Sequence, residues 1–561
     1  MGLLLLSAAV IWYDLATHEV LGRDENVTIV KLDQPDVKAV LAATRIRFTG
    51  QPSNTQPLYF LLQYPFWDLV GRSAFMLRFL PSLFGLLAVV FTYKLGEALF
   101  GREAGLVGAL LTALLPLHVQ YSQIARPYAM LAALSIASAY CLVRALQTNR
   151  IVHWAGFVLA ATLNFYSHYN ALFVLAAEGL FAGLVWLATL GAVLKERRPP
   201  DLRARLVRPV VGFLMVGLLC MPGFIRLFGL PWVGVGGQAE FGGSIAVEPT
   251  LIFFQGFMYR IGYRKTWIQA LFVGLMLLGL AGSLYRRRWQ SALLAIIWIS
   301  LPFVILSVMK SPRPFTERYL IFVPPVALLL VGQGITSGAG ALSALARPPV
   351  ARGLRWALIL VFSAGLALLM VKPLRIHHAA SQAADRLTET VAVVERQARP
   401  GDIVIISRRS FVQPLDVNGA EVLYMSEHLS PAELDQLASR YNRIWILYTS
   451  FIPPAELQES LDQWVQAHPD KLVRVPIKAV NVLAFGILSP SSTEAGLQDR
   501  IAVFEDLAQN VTGKFEIHER HNLLADAYQA LSDYYAGQGE TTLAAEYQDR
   551  AEKARAAAPP P

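Results

Sequence analysis

Two acidic residues, Asp24 and Glu25, stand side by side just after the apolar opening run MGLLLLSAAVIWYDLA. A carboxylate held at a membrane surface can take a proton from a hydroxyl, and a positioned base of this kind is worth about 10² to 10⁴ in rate. The cations that would complete such a site lie far along the chain: Arg126 in YSQIARPY, and Lys310, Arg313 and Arg318 in KSPRPFTERY. Guanidinium groups fit a phosphate and can stabilise it as it leaves. A base and phosphate-binding cations together are the components of a transfer in which a hydroxyl displaces a phosphate. Tyr59, Gln123, Tyr128 and His168 are candidates for shaping the substrate, and His118 stands at a similar helix end. Each group also has a plainer reading. An acidic pair can end a helix, arginines snorkel to headgroups, and a histidine at a helix end is commonly a hydrogen-bonded interfacial residue. No HExxH, CxxC or paired-histidine spacing occurs, so the spacing indicates no dedicated metal site. Whether a divalent cation or other cofactor takes part stays open.

The elements that must position these groups are membrane helices. Of 561 residues, 55% are hydrophobic and 16% charged, and the mean hydropathy is +0.44. Soluble domains carry about 25% charged residues. The net charge of +9 is explained by basic cytoplasmic loops and requires no nucleic-acid partner. Cys141 and Cys220 each lie inside an apolar run, which excludes a disulfide framework. Apolar runs of about 17 to 25 residues predict spans near 1–20, 79–99, 104–119, 128–146, 154–168, 171–190, 209–228, 267–285, 291–309, 319–335 and 355–372. The first is short, with no basic residues before it and no small-residue cleavage site before the acidic pair. It reads as a short inserted helix or the remainder of a longer one, not a cleaved leader.

Three loops, KERRPPDLRARLVR (195–208), YRRRW (285–289) and ARPPVARGLR (346–355), are strongly basic, which assigns them to the cytoplasm. Alternation then puts 21–78, 120–127, 229–266, 310–318 and everything after about 373 outside. The acidic pair and all four cations share that outer face. The expected localisation is a multi-pass cell-membrane protein with an extracytoplasmic C-terminal part.

After Lys372 the pattern changes. An amphipathic helix over 380–398 ends at ARPGD, and IVIIS, EVLYM, RIWILYT, KLVRV and NVLAFGIL read as strands, with helices over 431–441 and 454–468. The expected division is 1–372 membrane domain, 373–490 external α/β domain and 491–561 helical tail. In the tail, Tyr528, Leu531, Tyr535, Gly539, Ala544 and Ala551 follow tetratricopeptide spacing. One copy reads as a capping helical hairpin, with a protein partner docked there as the second reading.

Outside the cytoplasmic membrane there are no nucleotides to serve as activated donors, so group transfer there draws on lipid-linked intermediates. A polyprenyl-phosphate sugar needs a base for the acceptor hydroxyl, cations for the leaving phosphate and an apolar groove for the lipid tail.

In order, the acidic pair, QPLYFLL (56–62), the block LRFLPS to RPYAML (77–131), YSHY (166–169) and ERYLIFVPPVALLL (317–330) resemble bacterial GT-C glycosyltransferases. The likeness is to the protein O-mannosyltransferase and aminoarabinose transferase type. It covers about residues 10–370, and 77–131 is its most specific part. The resemblance implies a polytopic α-helical GT-C fold and inverting transfer from a polyprenyl-phosphate sugar to an unidentified acceptor. It also implies a catalytic aspartate in the first external loop, which maps to Asp24, with Glu25 as its partner acid. Two departures stand out. Where such proteins often read HPPLYY, Thr55 and Gln56 replace the histidine and first proline; where they often read YSQEARMY, Ile124 replaces the acid and Pro127 the methionine.

A transporter or lipid flippase is the competing class. It would need ionisable groups near the bilayer midplane, and Glu178 in NALFVLAAEGLFAGL is the one clear candidate. A scaffold without catalysis is a third reading.

Overall fold

Prolines and small capping residues decide where the long apolar runs start, bend and meet. The computed structural model describes residues 1–13, 15, 23–45, 55–195, 202–228, 265–309, 317–406, 417–424, 431–448, 463–464, 466–467, 473–479, 482–488, 493–509 and 514–558. These divide into two compact units, Met1–Ala16 with Val27–His378, and Thr17–Asn26 with Ala379–Pro561.

The first unit is helical. After α1 (Gly2–Trp12) come three short helices, α2 (Arg23–Leu32), α3 (Val37–Ala43) and α4 (Leu58–Pro65). The membrane bundle continues with α5 (Ala74–Leu99), α6 (Arg102–Ala113), α7 (Pro116–Ser122), α8 (Tyr128–Thr148), α9 (Ile151–Ser167), α10 (Ala171–Lys195) and α11 (Leu202–Phe228). It ends with α12 (Thr266–Tyr285), α13 (Trp289–Met309), α14 (Val323–Ser343) and α15 (Pro348–Gln397). Among the described residues, eight helices are long and apolar enough to cross a bilayer unaided. The expected 104–119 span is instead α6 and α7, bent by 61°, because Pro116 cannot continue α6 and opens a new helix. The first and fifth expected spans are shorter helices, α1 and α9. No break separates the last span from the amphipathic stretch after 380: α15 is one helix of 50 residues that carries Pro373 inside it.

Packing in this bundle depends on small residues that let backbones approach, as is usual where lipid removes the hydrophobic drive between helices. At the α12–α14 crossing, a Cβ on Gly279 would stand 2.1 Å from the carbonyl oxygen of Leu330, and one on Gly334 would stand 2.0 Å from that of Leu275. No side chain fits at either position.

The second unit carries a mixed five-stranded sheet. Its strands are β1 (Ile403–Ile406), β2 (Glu421–Tyr424), β3 (Ile444–Tyr448), β4 (Val473–Ala479) and β5 (Val482–Leu488), in the order β2-β1-β3-β5-β4. β1 runs parallel to β2 and β3, while β5 is antiparallel to β3 and β4. α16 (Pro431–Arg440) precedes β3, and α17 (Glu494–Gln509), α18 (Lys514–Gly537) and α19 (Thr541–Ala557) follow the sheet. Gly539, at φ +82°, turns the chain between α18 and α19 through the left-handed region that favours glycine. Packing draws no line at residue 491. Val404 and Trp445 from the sheet share one core with Ile501, Phe504, Leu531, Tyr535, Ala544 and Ala551.

Candidate functional site

Three turns between membrane helices converge. In the first, α7 ends at Ser122 and Pro127 caps α8. Since the residue before a proline is pushed out of helical backbone, Arg126 is presented from the turn itself, its N–H donating to the carbonyl of Ile124 at 2.7 Å. The second is the stretch between α9 and α10, where His168 adopts extended backbone. The third is a single tight turn, Glu317–Leu320, just before α14.

Tyr128 is the meeting point. Its ring lies 6.0 Å from the guanidinium carbon of Arg126 and 5.6 Å from that of Arg318. The His168 ring is 5.6 Å from Tyr128 and 6.4 Å from Tyr319. Arg318 also lies over Tyr319, at 5.5 Å. Asn170 joins two of the turns, donating its side-chain N–H to the carbonyl of Tyr319 at 2.8 Å and its backbone N–H to Nδ1 of His168 at 3.2 Å. Burial, then the charges of Arg126 and Arg318, push the His168 imidazole from 6.5 down to about 3, so it is neutral at physiological pH. The Nε of Arg126 is buried and meets no acceptor among the described residues. A buried donor without a partner is uncommon and asks for an acceptor. Two cations on aromatic faces around a neutral imidazole form a pocket suited to an anion.

Of the expected site residues, Arg126, Arg318, Tyr128 and His168 therefore come together. Tyr59 is buried in α4 with its ring edge-on to Phe60 at 5.4 Å. The side-chain amide of Gln123 donates to the carbonyls of Ile11 and Tyr13 at 2.8 and 3.1 Å, which ties the end of α7 to the end of α1. Ile124 packs against the apolar core. Asp24 and Glu25 begin α2 instead of ending α1. The side chain of Glu25 is buried, and that of Asp24 lies outside the described residues, as do Lys310 and Arg313.

Two residues of α2 escaped the sequence reading. The hydroxyl of Thr28 donates to the carbonyl of Ala125 at 2.8 Å, which fixes α2 to the turn presenting Arg126. Lys31 is buried, donates from Nζ to the hydroxyl of Thr55 at 2.9 Å and lies 5.5 Å from the Phe60 ring. Asp24, Thr28 and Lys31 follow one another at helical spacing on one face, a signal visible once 23–32 is read as a helix. Among the described residues no three His, Cys, Asp or Glu side chains group as metal ligands.

The described unit defines a class: a multi-pass membrane protein whose helix-joining turns build a cationic, aromatic pocket. Comparison with known proteins makes it particular. Residues 51–199 match the dolichyl-phosphate-mannose-protein mannosyltransferase family. The crystal structure of ArnT from Cupriavidus metallidurans bound to undecaprenyl phosphate aligns with a TM-score of 0.57 at 13% identity, over 86% of this chain and 97% of that one. Its apo form gives 0.55 at 14% identity over the same shares. The archaeal oligosaccharyltransferase AglB from Archaeoglobus fulgidus scores 0.48 at 13% identity, over 96% of this chain and 86% of that one. No curated protein sequence matches. The chain thus has the GT-C fold, and sequence and fold meet on membrane glycosyltransferases.

Proposed function

We propose that this protein transfers a sugar from a polyprenyl-phosphate donor to an acceptor hydroxyl on the outer face of the cytoplasmic membrane, with inversion. The carboxylate of Asp24 takes the proton of the acceptor hydroxyl as its oxygen attacks the anomeric carbon. The bond from that carbon to the phosphate oxygen breaks, and its electron pair leaves with the polyprenyl phosphate. Arg126 and Arg318 stabilise the departing charge, helped by Lys310 and Arg313. Glu25 orients the acceptor, Tyr59, Tyr128 and His168 shape the pocket, and Gln123, a candidate for the same role by sequence, ties the end of α7 to the end of α1. A neutral His168 fits this role, since it offers hydrogen bonds without competing for the phosphate.

The observation that carries the reading is the buried, unpartnered Nε of Arg126 beside Arg318 on the Tyr128 ring. The bound undecaprenyl phosphate of the ArnT structure supports a lipid phosphate as the anion. The transporter reading retains one observation, the fully buried Glu178, whose carboxyl oxygens have no hydrogen-bond partner among the described residues. Asp24→Asn separates the two. With membranes supplied with lipid-linked sugar, the enzyme loses about 10² to 10⁴ in transfer rate, whereas a transporter keeps its flux. Unchanged transfer in that variant overturns the mechanism.

A further inference from the structure

Tyr128 opens α8 at the candidate site, and Gln147 lies in its last turn. That helix has 21 residues, so its two ends stand about 30 Å apart at 1.5 Å per residue, the thickness of a bilayer's hydrocarbon core. At the far end an open recess of about 470 Å³ lies between the ends of α5 and α8 and the turn joining α12 to α13, walled in part by Glu97, Gly101, Gln147, Arg287, Arg288 and Trp289.

The backbone of this turn is well fixed while its side chains are free. The N–H of Arg287 donates to Leu284 and that of Arg288 to Ser283, both at 2.9 Å, and the carbonyl of Arg288 accepts from Ser291 and Ala292 at the start of α13. Arg287 takes φ +57°, which reverses the chain within one residue and displays three successive arginines. Arg286, Arg287 and Arg288 are exposed, and none has a side-chain hydrogen bond or ion pair among the described residues. A Cβ on Gly101 would lie 3.8 Å from the Nη1 of Arg288, so that guanidinium reaches across the recess to the α5–α6 turn. The carboxylate in the wall is already engaged, since Glu97 accepts from Lys94 at 3.2 Å and from the Tyr93 hydroxyl at 3.0 Å. Tyr285 and Trp289 flank the arginines at 90% and 44% exposure, placed as amphipathic rings are at a membrane interface.

We propose that this recess binds the phosphate headgroup of an anionic phospholipid, on the membrane face opposite the candidate catalytic site. Arg287 and Arg288 take the phosphate, and Tyr285 and Trp289 sit at the boundary with the acyl chains. A basic pocket between helix ends fits such headgroups, beyond the general attraction of cations to an anionic leaflet.

The full chain, in nanodiscs of phosphatidylcholine with phosphatidylglycerol added, is released for native mass spectrometry, and retained phosphatidylglycerol is titrated. Arg287→Ala combined with Arg288→Ala removes two cations. At about 1 kcal/mol per cation near an anionic surface and 1.4 kcal/mol per tenfold, retention weakens about 30-fold. Arg287→Lys with Arg288→Lys keeps the charge and recovers part of it. The control pair, Arg347→Ala with Arg352→Ala, follows α14 on the same membrane face outside the recess and leaves retention near wild type. Equal loss in the control pair means a general surface field and overturns the proposal. Displacement of the lipid by inorganic phosphate means a site for a soluble anion, and no preference over phosphatidylcholine in the wild type means no site; either result also overturns it.

Discussion

Arg443 and Arg126 show one side chain in two settings. Arg443, at the start of β3, is buried against an equally buried Asp402, their nearest atoms 2.6 Å apart. It also donates to the carbonyl of Gln397 at 2.6 Å and stacks over Trp445 at 5.5 Å, while Trp445 donates to the same Asp402 carboxylate at 3.2 Å. Arg126 is half-buried on an aromatic ring, forms no ion pair among the described residues, and holds a buried Nε without an acceptor. The Nη1 of Arg443 makes no hydrogen bond among the described residues and has only the Asp499 carboxylate at 3.8 Å. The two arginines therefore differ in the buried carboxylate beside Arg443, and a cation paired in that way by its own chain locks a fold. One left without that pairing at the end of a membrane helix is set up to receive an anion from elsewhere.

The largest expected effect tests the structural side of that contrast. Asp402→Asn leaves the Arg443 guanidinium buried, its nearest remaining acid Asp499 at 3.8 Å. Stranding a buried charge costs about 3 to 5 kcal/mol. Hydrogen exchange on the full chain should show β1, β3 and α17 opening more readily, with the membrane helices unaffected. Normal protection in those strands would mean that Arg443 is not what pins them.

Next comes the ligand-seeking side. Arg126→Ala removes a donor aimed at developing charge, and such donors are worth about 10² to 10³ in rate. Transfer from a polyprenyl-phosphate sugar should fall by that factor while the thermal midpoint of the detergent-solubilised protein stays put. A large drop in stability with little loss of transfer would reverse the assignment and make Arg126 a structural residue like Arg443.

His168 gives a smaller effect with a definite sign. Its imidazole is held from 6.5 down to about 3 by burial and the two arginines, so the unfolded chain binds the proton more readily than the folded one. The stability tied to this group is fully present above about pH 6.5 and is lost as the pH falls toward 3. Thermal midpoints measured from pH 7 to pH 4 should decline less steeply in His168→Gln than in wild type. Polyprenyl phosphate, by adding negative charge beside the arginines, should also flatten the wild-type decline. Parallel curves for both proteins would show that His168 is not held neutral by this pocket.

The bundle was legible because membrane helices announce themselves as long apolar runs. The cationic pocket was legible in part because Arg126 and Arg318 stand against the expected distribution of charge, on the face where basic residues are depleted. Two kinds of feature were not. α2 mixes charged and β-branched residues at low hydropathy, so its face of Asp24, Thr28 and Lys31 carried no apolar period to reveal it. The joining of the tail helices to the sheet depends on a shared core through Phe504, Leu531 and Trp445, and amphipathic segments do not state which partner they will cover. The last span misled in another way: the apolar run ends near Lys372, yet the helix runs on through Pro373 to Gln397, because the loss of one backbone hydrogen bond can be absorbed within a long helix.

Gln123 offers the finest distinction, since the sequence offers it as a candidate for shaping the substrate while its amide hydrogens point elsewhere. Both are committed to carbonyls at the end of α1, in a position that is itself buried. Gln123→Leu keeps much of the volume and removes the two donors, leaving the Ile11 and Tyr13 carbonyls to find other partners. The cost should be about 1 to 3 kcal/mol, seen as a lowered thermal midpoint, with the KM for the lipid-linked sugar unchanged. A raised KM at an unchanged midpoint would move Gln123 into the pocket with Tyr128 and His168. It would also show that a side chain already satisfied by its own chain can still read the substrate, and the contrast between Arg443 and Arg126 would then need a criterion other than pairing within the chain.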